Sequence, residues 1–270
     1  MQRLPTLFIS HGAPTLAIRS TPAHRFLREL GAALPRPKAI LIASAHWESL
    51  GAPAVSLAEQ PETIHDFGGF PQEMYSLRYP APGAPEVAAR AAALLTGAGI
   101  PAKQSPNRGL DHGAWVPLLL MYPDADIPVA QISVMRDGTP QQHEQVGRAL
   151  AGLRDEGVLI IGSGALTHNL AEWRTNDVDA LAPDWVRDFE VWMKDKLDGQ
   201  QRDAVLAYRR LAPSGARNHP SEEHLMPLFV AMGAAGPDSV ARRLHSSYEY
   251  GILAMDIYAF SDAATNPITT

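Results

Sequence analysis

Cysteine is absent from all 270 residues. That absence removes disulfides, thiolate metal sites, cysteine-held iron–sulfur clusters and a cysteine nucleophile, so any bound metal must rest on nitrogen and oxygen ligands. Long apolar runs are missing as well. No stretch nears the roughly 20 residues that span a bilayer, and the opening MQRLPTLFIS lacks the apolar centre of a secretory signal, so a cytoplasmic protein without a membrane partner is expected. Positive charge is sparse: 23 Lys and Arg stand against 29 Asp and Glu, and no basic run is dense enough to follow a phosphate backbone, which argues against a nucleic-acid partner. Nucleotide and serine-hydrolase signatures are also lacking. The GSGAL turn at residues 162–166 fits neither phosphate-binding glycine pattern, and Ser10, Ser44 and Ser163 stand in no G-x-S-x-G elbow.

What is present is an ordinary core-forming composition, 46% hydrophobic, arranged in alternating periods. Strand-length apolar runs occur at Thr6 to Ser10, Ala39 to Ala45, Pro53 to Leu57, Val129 to Val134 and Val158 to Gly162. Between them lie helical patterns that open near a proline, beginning at Thr21, Ala84 and Thr139. Leu181 to Leu211 reads as one or two amphipathic helices, and a last helix is expected from about Pro220 to Ala234. Two adjacent strands joined near Gly251 would give the sheet an antiparallel edge. The fold class is therefore α/β: three α/β/α layers around a mostly parallel, mixed sheet, in one domain over residues 1–270, with a loose tail at 265–270. Residues 61–85 form a connection longer than an idle one, rich in glycine and aromatics, and read as a pocket-lining loop.

The chemistry-bearing feature is histidine at the ends of these runs. His11 closes LFIS, His46 closes LIASA, His112 opens an apolar helix after Asp111, and His168 follows the glycine turn after VLIIG. In an open α/β sheet such positions face one crevice at the carboxyl ends of the strands. A catalytic metal needs about three protein ligands and open positions, and imidazole suits zinc and iron alike. One of His219, His224, Glu222 or Glu223 would complete the set, while Glu48 is available to orient His46. His24 and His143 lie among polar helix neighbours and read as surface residues; His65 and His245 have no clear frame. Arg78, Tyr75, Tyr79 and Tyr248 are candidate pocket contacts.

The segments FISHGAPTLAI, ASAHWES, FGGFPQEMYSLRYPAPG, GLDHGAWVPL, GSGALTHNL, HPSEEHLMPLFVAMGAAG and SSYEYGILAMDIYAF, in this order from about residue 8 to residue 260, resemble the class III extradiol ring-cleavage dioxygenases, in the branch related to 4,5-DOPA extradiol dioxygenase. The resemblance implies metal ligation by His11, His46 and His224, with Glu223 as a rival ligand. It makes His168 an acid/base that in some members binds zinc as a fourth ligand, and His112 a second active-site histidine facing oxygen or a substrate hydroxyl. It further implies Fe(II) for activity, with Zn(II) able to occupy the same site, and a small catecholic substrate with O2 as partners. The residues alone leave open a zinc-dependent hydrolase with His168 as base, or a non-catalytic binding protein. Monomer and homodimer fit the sequence equally.

Overall fold

The computed structural model describes residues 3–262. An eight-stranded sheet is built from β1 (Thr6–Ser10), β2 (Ala39–Ser49), β3 (Ala54–Ser56), β4 (Lys103–Ser105), β5 (Val129–Met135), β6 (Val158–Gly164), β7 (Ser239–His245) and β10 (Ile257–Asp262). The intervening β8 (Tyr248–Glu249) and β9 (Leu253–Ala254) pair separately as a small antiparallel ribbon. The strand order is β4-β3-β5-β2-β6-β1-β10-β7. Its centre, β5-β2-β6-β1, is parallel, while β10 and β7 add an antiparallel edge. The mixed three-layer expectation therefore holds. The join near Gly251 does not: that turn closes the β8–β9 ribbon, which is inserted between the two edge strands.

Helices cover both faces because the central strands are apolar on both. Ile40 and Ile42 of β2 point into a core shared with α1 (Pro22–Ala33) and α3 (His112–Met121), whereas Leu41 and Ala43 point to α2 (Pro85–Gly97), α4 (Pro140–Leu150) and α9 (Met226–Ala235). Local signals set the helix starts. Thr21 caps α1 by accepting from the His24 amide, and Thr139 with Gln142 forms a reciprocal capping box on α4. HGAWVPLLLM and MPLFVAMGAA are apolar on every side, so α3 is buried except at Leu119 and α9 throughout. The segment 181–211 resolves into α5 (Asp184–Asp198), α6 (Arg202–Leu206) and α7 (Tyr208–Leu211), followed by α8 (Gly215–Asn218). The last helix starts at Met226, not at Pro220, leaving His224 in the turn that precedes it. The tail expected at residues 265–270 lies outside the described residues.

Candidate metal centre

β1, β2 and β6 are parallel neighbours with β6 in the middle, so their carboxyl ends open onto one crevice. His11 follows directly from β1, its amide continuing the ladder to the Gly164 carbonyl. His46 is placed by an irregularity. Ser44 pairs with Ser133 and Glu48 with the very next residue, Val134, so Ala45, His46 and Trp47 bulge out of β2 and turn the imidazole toward the crevice. Buried Asp111 holds that bulge. It accepts from the Ser44 hydroxyl at 2.6 Å and from Arg108, whose guanidinium also donates to the His46 carbonyl, and it caps α3 through the Ala114 amide. One carboxylate thus fixes His46 and the helix start that carries His112.

His224 comes from a distant part of the chain and is docked by β6. The Ala165 amide donates to the His224 carbonyl, and a Cβ on Gly164 would meet that oxygen at 2.1 Å, so the turn needs glycine for backbone to touch backbone. Gly113 serves similarly at the start of α3, where a Cβ would meet the Ser44 hydroxyl at 2.5 Å and the His46 ring at 2.9 Å.

The Nε2 atoms of His11 and His46 stand 3.0 Å apart, and those of His46 and His224 3.2 Å. The His11 Nδ1 lies 3.0 Å from the Ser163 hydroxyl, whose own hydrogen goes to the Gly113 carbonyl, so the histidine must donate. His224 donates from Nδ1 to the Glu223 carboxylate at 2.8 Å. Both rings therefore turn an Nε2 lone pair inward. His46 has at most one Nε2 proton for two facing lone pairs, and its Nδ1, 3.5 Å from Asp66, competes for that proton. At least one contact therefore sets lone pair against lone pair, an arrangement a cation relieves. Nitrogens bound at about 2.1 Å to one ion lie roughly 3 Å apart, so the spacing suits a divalent metal. Burial holds all three rings neutral: it drives His11 and His224 well below the usual imidazole range and His46 to about 3, and the neighbouring imidazoles add to the effect.

His168 and His112 flank this trio. The His168 ring stacks on His224 with centroids 3.4 Å apart, and burial lowers its pKa to about 4 although Glu223 opposes the shift. His112 packs 3.9 Å from the His46 ring. Its amide donates to Asp66, and its Nδ1 lies 3.0 Å from the same carboxylate oxygen but out of line for a hydrogen bond. Burial would raise Asp66, but His112 and then His46 outweigh it and hold the carboxyl at about 2. Two further triads share these atoms, His46 with Asp66 and His112, and His168 with Glu223 and His224. A cavity of about 450 Å³ opens above the cluster, lined by the five histidines together with Asp66, Phe67, Phe70, Leu170 and Trp173 among others.

Several expectations need correction. Glu48 does not orient His46, because it pairs with Arg136; Asp66 from the 61–85 loop takes that place. His219 is buried apart from the trio, with Nε2 on the Leu166 carbonyl, and Glu222 accepts from Tyr208. His143 is fully buried and His24 half-buried, its Nδ1 on the Leu16 carbonyl, so neither is a surface residue. His65 contacts the Leu77 carbonyl and the Trp115 ring, and His245 stacks on Phe26. The four candidate pocket contacts lie off the cavity wall. Tyr79 is buried with its hydroxyl on the Tyr122 carbonyl, Tyr248 donates to Glu190, Tyr75 packs behind Phe67, and Arg78 turns to backbone carbonyls. The three serines weighed as nucleophiles have supporting roles instead: Ser10 accepts from the Leu166 amide, Ser44 donates to Asp111 and Ser163 braces His11.

Comparison with known proteins agrees with this geometry. The family described as the catalytic LigB subunit of aromatic ring-opening dioxygenase matches residues 5–260. A 4,5-DOPA dioxygenase extradiol of Beta vulgaris is 46% identical over 262 residues, covering 95% of this chain and 96% of the relative. The protein of the same name from Escherichia coli K12 is 40% identical over 236 residues, covering 86% and 85%. The crystal structure of an uncharacterized Escherichia coli K12 protein superposes with a TM-score of 0.78 at 32% identity, covering 95% of this chain and 99% of that one. By full-length sequence similarity, on a fold that gathers five imidazoles at one sheet end, the chain belongs to the LigB family of aromatic ring-opening dioxygenases.

Proposed function

We propose that this protein is an Fe(II)-dependent extradiol dioxygenase that opens the ring of a catechol beside, not between, its two hydroxyls. The carrying observation is the convergence of the His11, His46 and His224 Nε2 atoms with their Nδ1 sides turned to Ser163, Asp66 and Glu223. These three residues are assigned as metal ligands. A redox-active divalent ion held by these three imidazoles would supply Lewis-acid and electron-transfer chemistry between a catechol and dioxygen. Three neutral imidazoles leave the ion its full charge and would also hold Zn(II), which lacks the redox step.

The remaining roles belong to the protein. His168 is neutral and stacked beside the trio, so its lone pair is free to take a hydroxyl proton as the diol enters and to return it later. In this reading it is a base beside the trio and not one of its members. His112 offers a ring N–H to oxygen as negative charge develops there, with the ionised Asp66 carboxylate 3.0 Å behind it. Asp66 orients both His46 and His112, and the 61–85 loop that carries it also supplies Phe67 and Phe70 to the cavity wall. Both atoms of O2 enter the product as one ring carbon–carbon bond breaks, so no external reductant is consumed.

The test is oxygen consumption by protein reconstituted anaerobically with Fe(II) and mixed with a panel of catechols while the visible spectrum is recorded. One O2 consumed per coloured ring-opened product is the expected result. No uptake with stoichiometric iron would overturn the reading and bring forward the zinc hydrolase, for which no observation of its own speaks.

A further inference from the structure

The cavity above the imidazoles is chemically one-sided. Its floor is the histidine cluster, and its wall and mouth include Phe67, Phe70, Leu170, Trp173 and Leu253. No lysine or arginine is among the described residues that line it, and its one carboxylate is Asp66. Three arginines of neighbouring segments are engaged elsewhere, and Arg19 stands outside the lining, over the Tyr250 ring. Arg108 holds Asp111 and the His46 carbonyl, Arg78 the carbonyls of Tyr75 and Leu77, and Arg174 the Ala171 carbonyl and Glu172. Leu170 is 55% exposed, an apolar side chain at the rim. Trp173 is braced from behind, its ring 4.4 Å from that of Tyr250, whose hydroxyl lies 3.3 Å from Thr15.

We infer that the preferred substrate is a catechol whose ring substituent is uncharged and apolar, an alkyl or aryl group, and that Phe70, Leu170 and Trp173 select for it. The inference rests on the ring-cleavage reading above. The diol occupies the floor, and a volume of about 450 Å³ leaves room for a substituent of several heavy atoms. A carboxylate in that position loses water against apolar walls, finds no lysine or arginine among the lining residues to pair with, and shares the cavity wall with the Asp66 carboxylate. An alkyl chain there removes apolar area from water at no such cost. Catechols whose substituent carries a carboxylate and no compensating ammonium are therefore disfavoured here.

The test compares two side chains of equal heavy-atom count and branching, 4-(3-methylbutyl)catechol and 3-(3,4-dihydroxyphenyl)propanoate. Each is titrated calorimetrically into the Fe(II)-loaded enzyme without oxygen, so binding is read apart from turnover. The neutral ligand is expected to bind at least about tenfold more tightly, and Leu170→Arg, at an exposed position that tolerates charge, should tighten the acid by about fivefold or more. Equal or tighter binding of the acid by the unaltered protein overturns the inference and leaves the dioxygenase reading standing. A Leu170→Arg protein that binds the acid no better removes Leu170 from the selecting wall. If neither ligand nor unsubstituted catechol binds, the ring-cleavage reading fails and the inference fails with it.

Discussion

Two groups of histidines can be compared: the trio at the carboxyl end of the sheet, of which His11 and His224 are buried and His46 half-buried, and His143 where β5 meets α4. Burial holds all four neutral and depresses their pKa values, His143 to about 4. The difference lies in where the ring lone pair goes. His143 donates from Nδ1 to the Thr139 carbonyl at 2.8 Å and accepts at Nε2 from the Met135 amide at 2.9 Å, so both nitrogens are satisfied by backbone. In the trio the Nδ1 sides face Ser163, Asp66 and Glu223, and the Nε2 atoms face one another. Burial and a low pKa therefore do not mark a metal ligand. What sets the trio apart is that its Nε2 atoms face one another with no backbone donor among them.

The largest effect that can break this comparison is loss of metal. His11→Ala, His46→Ala and His224→Ala should each weaken Fe(II) or Zn(II) binding by more than about a hundredfold, read by metal content after gel filtration. His143→Ala should keep one metal per chain and lose about 2 kcal/mol of stability in urea unfolding, since it leaves the Met135 amide unpaired. Metal loss in His143→Ala equal to that in the trio would end the distinction. His168→Ala separates ligation from proton transfer: metal should remain, and turnover should fall by about 10² to 10⁴. Zinc lost from it as completely as from the trio would make His168 a true ligand.

A smaller change tests the outer partners. Asp66→Asn keeps the shape but removes the charge between His46 and His112, and should cost about 10 to 100-fold in metal affinity or turnover. Glu48→Gln, at the residue expected from sequence to do this work, should change neither, because its carboxylate faces Arg136. Activity assays on both variants, with metal content measured alongside, decide between the two acids.

These pairings also show what could be read in the chain without its fold. β1, β5 and β6 were legible because strands covered on both faces are continuous apolar runs. β4 was not, since KQS is a polar, largely exposed edge segment that joins the sheet by backbone pairing with β3. His11, His46, His112 and His168 stand out at strand and helix ends, but the bulge that aims His46 depends on Asp111, whose contacts with Ser44 and Arg108 arise only on folding. Asp66 was missed for the same reason: its partners lie 20 and 46 residues away, and no local pattern distinguishes it from a loop acid. Polar neighbours in TPQQHEQV made His143 look exposed, whereas α4 turns that position inward to close the backbone of β5.

A last effect, on stability and not on metal or turnover, follows from the same contrast and needs no metal. The folded pKa of His143, about 4, lies below the ordinary 6.5 because burial disfavours the charged ring. Between those values the unfolded chain holds a proton that the folded chain refuses, so stability is complete above pH 6.5 and falls as pH drops toward 4. The loss attributable to this residue is of the order of 3 kcal/mol at full titration. The trio and His219 titrate in the same direction, so the unaltered protein alone cannot isolate it. His143→Gln can, because its side-chain oxygen still accepts from the Met135 amide while carrying no titrating proton. Urea unfolding of both proteins at matched metal content, from pH 7 to pH 4, should converge as the pH falls, the variant showing the shallower slope. Parallel curves would mean that folding leaves the His143 pKa unshifted, and that its backbone bonds do not hold the neutral ring as the comparison requires.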